Sequence, residues 1–150
     1  MEKISGLISA PYTPFHPDGG LHLEVIDSLV ERAAATGLAG VFPCGTTGEF
    51  PSLTLEERRQ VSERWVQGAA GRFRVIVHAG GPCLGDSKEL AVHAGSVGAD
   101  GIAMIGPYFF RPTTVEETGA RSIVTCHGDA SELDAYLRSH GYSVAPLPRA

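Results

Sequence analysis

Basic charge is in short supply in this 150-residue sequence, with 12 Lys and Arg against 17 Asp and Glu and a formal net charge of −5. A surface that tracks a phosphate backbone needs the opposite balance, so nucleic acid is excluded as the expected partner. Long apolar runs are missing as well. None approaches the roughly 20 residues that span a bilayer, and no membrane association is expected. Cysteine is sparse: Cys44, Cys83 and Cys126 are odd in number, far apart and without a CxxC pair. That pattern argues against both a zinc site and a disulfide framework, so reduced thiols, no metal and no cofactor are expected. The opening Met1-Glu2-Lys3-Ile4-Ser5-Gly6 lacks the regions of a signal peptide, and the expected location is cytoplasmic.

What remains is a composition that folds. A hydrophobic fraction of 43% with 19% charged residues belongs to a globular protein, and the length suits one domain with a buried core. Leu7-Ile8-Ser9-Ala10 reads as a short strand, ended by the prolines of Pro11-Tyr12-Thr13-Pro14. Asp18-Gly19-Gly20 is a turn. Leu23, Ile26, Leu29, Val30, Ala33 and Ala34 recur at helical spacing, with Gly37 as the stop. A second strand covers Gly40 to Cys44. Thr54-x-x-Glu57 is a capping box that opens a helix with Leu55, Val61, Trp65 and Ala69 on its apolar face. Val75-Ile76-Val77-His78-Ala79 is a buried strand by its β-branched run, Asp86-x-x-Glu89 resembles a second capping box, and Ile102 to Ile105 is a further strand. Strands roughly 30 residues apart with helices between them spell βαβ units and a parallel sheet covered by helices.

The centre of the pattern is Gly45-Thr46-Thr47-Gly48-Glu49, delivered by the second strand just ahead of the capping box. The two glycines allow positive φ and close backbone approach. Backbone N–H groups and the two hydroxyls suit a small carboxylate or phosphate, the alternative being a tight connection with no ligand. Tyr12 and Thr13, His78, and Tyr108 and Phe109 fall at the C-terminal ends of the other strands, where α/β proteins bind ligands. His78 reads as a satisfied core histidine, and nothing in the sequence sets a base beside Cys44.

Gly45-Thr46-Thr47-Gly48-Glu49 followed by Glu57-Arg58-Arg59 resembles the signature of the dihydrodipicolinate synthase/N-acetylneuraminate lyase family. Gly98-Ala99-Asp100-Gly101-Ile102 leading to Pro107-Tyr108-Phe109 is similar to that family's fourth-strand segment, and Val75 through Ala94 is closer to the N-acetylneuraminate lyase branch. The resemblance spans about residues 4 to 116. It implies a partial (β/α)8 barrel of about four βα units in residues 1–116. It also implies Schiff-base chemistry on pyruvate or another small 2-keto acid, to make or break a carbon–carbon bond. Gly45, Thr46, Thr47 and Tyr108 would then bind substrate, with Thr46 also the candidate for relaying a proton to a catalytic tyrosine.

The chain departs from the family in three respects. Its second strand-end aromatic is Phe109, where the synthases carry tyrosine. The fifth- and sixth-strand segments that bring the family's catalytic tyrosine and Schiff-base lysine have no counterpart, and the only lysines are Lys3 and Lys88. Residues 117–150 leave the pattern and read as a divergent βαβ-like tail, with strands at 122–126 and 142–145 and a helix between. The expectation is a truncated lyase that keeps the carboxylate turn without the lysine. The alternatives are a non-catalytic half-barrel that binds keto acids or pairs with a second copy through open sheet edges, or a gene remnant.

Overall fold

The computed structural model describes residues 4–105 and the strand segments Ser122–Ile123 and Ser143–Val144. Strand and helix alternate in the first part: β1 (Ile8–Ser9), α1 (Leu23–Ala35), β2 (Gly40–Val41), α2 (Leu55–Ala69), β3 (Arg74–His78), α3 (Leu84–Ser96) and β4 (Gly101–Ala103). The four strands are parallel and lie in chain order, β1-β2-β3-β4. Ile8 stands opposite Gly40, Val41 opposite Val75, and Ile76 opposite Gly101. This is the α/β barrel-type sheet that the spacing of the apolar runs requires.

The core lies between sheet and helices. Ile26, Val30 and Ala33 of α1 and Val61, Trp65 and Ala69 of α2 pack with Val41, Val75 and Val77. Ile76 is buried too but stands outside that cluster, as the two-residue alternation of a strand demands. Burial on both of its faces explains why β3 is apolar from Val75 to Val77 instead of alternating. Ion pairs stitch the helices together on the outside. Arg64 of α2 pairs with Asp27 of α1, and Arg59 of α2 with Glu89 of α3. Arg72, just past α2, forks onto Glu31 at 2.9 and 2.7 Å. Asp100 works at the N-terminal edge of the sheet, accepting from the Val75 N–H at 2.9 Å and from Arg74 at 2.7 Å.

Most helix boundaries follow the expected chemistry. Gly37 stands at φ +69° just beyond α1. The capping box of α2 is complete: the Thr54 N–H donates to the Glu57 carboxylate at 2.8 Å, and the Glu57 N–H to the Thr54 hydroxyl at 3.2 Å. The second expected capping box does not form. Helix α3 begins two residues ahead of Asp86, at Leu84, with Cys83 as N-cap and no side-chain cap. Ser87 donates back to the Cys83 carbonyl at 3.0 Å, so the first turn closes upstream of Asp86. The second strand is also shorter than expected, ending at Val41, yet the Phe42 N–H still reaches the Ser9 carbonyl at 2.7 Å. Pro43 offers no N–H to extend the ladder. Beyond these units, β5 (Ser122–Ile123) and β6 (Ser143–Val144) form a separate parallel pair, in register Ser122 with Ser143. The helix expected between them lies outside the described residues.

Candidate functional site

The C-terminal ends of β1, β2 and β3 converge on the glycine turn. From the β1 side, buried Thr13 donates its hydroxyl to the Gly48 carbonyl at 2.7 Å. From the β3 side, the His78 N–H donates to the Pro43 carbonyl at 3.2 Å. The turn itself is closed by the Glu49 N–H on the Thr46 carbonyl at 3.0 Å and the Phe50 N–H on the Gly45 carbonyl at 3.4 Å. Neither closing bond uses the N–H of Thr46, Thr47 or Gly48. The Thr46 and Thr47 residues are exposed, while Gly45 and Gly48 are buried beneath them. Tyr12 is half-exposed at the end of β1.

The glycines serve close approach, and neither uses the positive φ that glycine allows. The left-handed residues of the turn are Cys44 and Glu49, at φ 56° and 57°. A Cβ on Gly45 would come within 2.6 Å of the Phe42 ring, and one on Gly48 within 3.0 Å of the Cys44 nitrogen. The turn is therefore packed too tightly for side chains at either position. The Glu49 side chain makes no cap hydrogen bond to the 3-10 turn that follows it, and the residue lies exposed.

Beneath the turn sits a buried cation. Arg58, 5% exposed, donates through Nη2 to the carbonyls of His78 at 2.8 Å and Gly80 at 3.0 Å. Its guanidinium carbon stands 5.4 Å from the centroid of the Phe50 ring. The His78 imidazole lies against the Phe50 and Phe42 rings, at 4.5 and 5.6 Å between centroids. Desolvation and then the Arg58 charge push its pKa down to about 4, against a hydrogen bond to the Cys44 backbone. His78 is thus a neutral core histidine, as the sequence indicates. Burial pushes the Cys44 thiol up to about 11, with the Arg58 charge opposing. A protonated buried thiol is no nucleophile.

Gly45, Thr46 and Thr47 therefore stand together at one strand end, joined by Thr13. Tyr108, with Phe109, Arg111, Cys126, His127 and Asp129, lies outside the described residues. Arg58 is the participant that sequence reasoning left without a role. Its signal was the spacing: Arg58, Val61, Trp65 and Ala69 share one helical face, so the arginine stands where an apolar residue is expected.

A parallel sheet in chain order with helices packed on it is the architecture of a (β/α)-barrel type of protein. Comparison with known families takes this one step further: the chain belongs to the dihydrodipicolinate synthetase family, whose profile matches residues 3–128. The N-acetylneuraminate lyase of Gallus gallus is 43% identical over 118 residues, 77% of this chain and 38% of that protein. Among solved structures, Proteus mirabilis N-acetylneuraminate lyase superposes with a TM-score of 0.78 at 29% identity, covering 95% of this chain and 63% of that one. YagE, a family member from E. coli K12 solved in complex with pyruvate, gives a TM-score of 0.71 at 26% identity, covering 81% and 45%. The chain spans less than half the length of the relatives it matches by sequence.

Proposed function

We propose that this chain carries the 2-keto-acid-binding part of a Schiff-base carbon–carbon lyase of the N-acetylneuraminate lyase kind. The observation that carries the reading is the exposed Thr46-Thr47 pair, held at the end of β2 on a turn fastened to β1 by Thr13 and to β3 by His78. Two hydroxyls and the backbone N–H groups beside them supply the several donors that a carboxylate needs when it leaves water. The buried Arg58 charge below the turn favours an anion above it. Pyruvate fits this chemistry: its carboxylate takes the threonine donors, and its carbonyl is left free to react. Tyr108 would complete the pocket, and Thr46 would also orient a catalytic tyrosine.

On this reading the chain holds the carboxylate turn but not the Schiff-base lysine. Lys88 is exposed on α3, on the outer helical layer, without the desolvated pocket that activates a Schiff-base lysine. The test treats the full chain with pyruvate and borohydride, with intact mass as readout, alongside an amide-shift titration with pyruvate. Shifts at residues 45–48 without a covalent adduct are expected, and Thr47→Val should weaken binding about tenfold, the equivalent of roughly 1.4 kcal/mol. An adduct on Lys3 or Lys88 would show that the chain supplies its own lysine. No shift at the turn would remove the keto acid.

A second reading, a pairing module, rests on the edge of the sheet. Strand β1 has a neighbour only on its β2 side among the described residues, and Leu7 beside it is 73% exposed. An open strand edge with an apolar side chain invites a second copy.

A further inference from the structure

Away from the turn, the loop between β1 and α1 brings together three potential metal ligands that are separated in sequence. His16 and His22 flank the Asp18-Gly19-Gly20 turn, and Glu24 lies in the first turn of α1. Three contacts fix their relative position. Phe15 and Leu21 form an antiparallel bridge. The His16 N–H donates to the Gly20 carbonyl at 2.8 Å, and the His22 N–H donates to the Pro14 carbonyl at 2.9 Å. In that register His16 and His22 are diagonal neighbours, within reach of each other's long side chains. Their rings stack at 3.9 Å with 21° between planes, and His22 Nε2 stands 3.9 Å from the Glu24 carboxylate. One ligand atom from each of the three lies within 4.8 Å of the other two.

We propose that His16, His22 and Glu24 bind a zinc-class divalent ion. Donors about 2.0–2.2 Å from a tetrahedral ion stand on the order of 3.5 Å apart; an imidazole lone pair lies in its ring plane, so the two rings must turn out of their stack to aim at one ion. His16 and Glu24 are exposed and His22 half-buried, which leaves them free to make those rotations. Two imidazoles and a carboxylate match zinc and its late-transition neighbours; magnesium and calcium prefer oxygen donors alone. Three protein donors leave one position to water. The ion would clamp the β1–α1 turn to the start of α1, on a different part of the loop from the Thr13 bond to the glycine turn.

The test uses the full chain, stripped of metal and free of any histidine tag. Calorimetric titration with Zn2+ should give a single site per chain, and Mg2+ should give none. Loss of groups that merely orient a ligand weakens metal binding about 10- to 100-fold, so loss of a ligand should cost no less. His16→Asn and His22→Gln are each expected to weaken Zn2+ binding about tenfold or more. Glu24→Gln, an exposed change on a helix, should do so with an unchanged circular dichroism spectrum. Co2+ should give a tetrahedral visible spectrum without a thiolate charge-transfer band. Unchanged affinity in the His16→Asn/His22→Gln double variant would overturn the site. So would a thiolate band, by moving the ion to the cysteines, or the absence of any Zn2+ uptake.

Discussion

His78 sets the clearest pH dependence at the scale of single residues. Its folded pKa of about 4 lies below the ordinary histidine value of 6.5, so between those values the unfolded chain binds the extra proton. Its contribution is complete above pH 6.5, is lost as pH falls through the window to 4, and levels off below. The lost stability is about 3 kcal/mol at most. Denaturant midpoints measured from pH 7 to 4 should fall, and His78→Gln should flatten that slope. Gly45→Ala is expected to destabilise by about 1–3 kcal/mol, since its methyl would overlap the Phe42 ring; urea titration at pH 7 reads it directly. Arg58 shows where residue-level reading stops. Its spacing places it on the buried face of α2 with Val61, Trp65 and Ala69, but its partners, the carbonyls of His78 and Gly80, follow only from the docking of α2 against the end of β3.

Among the elements, the helices were the most legible. The apolar period of α1 and the Thr54/Glu57 box of α2 are local signals, settled within a turn or two of chain, and both hold in the fold. Thr54→Ala should remove an N-cap and cost about 1 kcal/mol in thermal or chemical unfolding, while Thr54→Ser should leave stability nearly unchanged. The start of α3 was misread because Ser87 closes onto Cys83, a choice of partner that the Asp86-x-x-Glu89 pattern does not reveal. The turn after β2 was legible in composition but not in conformation. Its glycines announced a tight place, whereas the left-handed angles fell on Cys44 and Glu49, because neighbouring rings and backbone decide which positions must lack a side chain. The His16, His22 and Glu24 grouping gave no sequence signal, since it depends on the bridge between Phe15 and Leu21.

At the scale of the whole molecule, the pairing reading turns on the β1 edge. Sedimentation across a concentration series should show self-association, and Leu7→Lys, which puts a charge beside that edge, should shift the equilibrium toward monomer. A monomer at every concentration would count against the pairing reading and leave the keto-acid reading intact. The parallel architecture was legible from the near-continuous apolar strands, and membership of the family follows from the matched profile. The strand order β1-β2-β3-β4 has a further consequence for how the protein is made. Each strand after the first pairs with one already synthesised, across a short stretch of chain. A nascent chain emerging at about 5–20 residues per second can add each strand–helix unit to a sheet that already exists. The sheet can thus assemble in the direction of translation, with β1 as the template on which the later strands are laid.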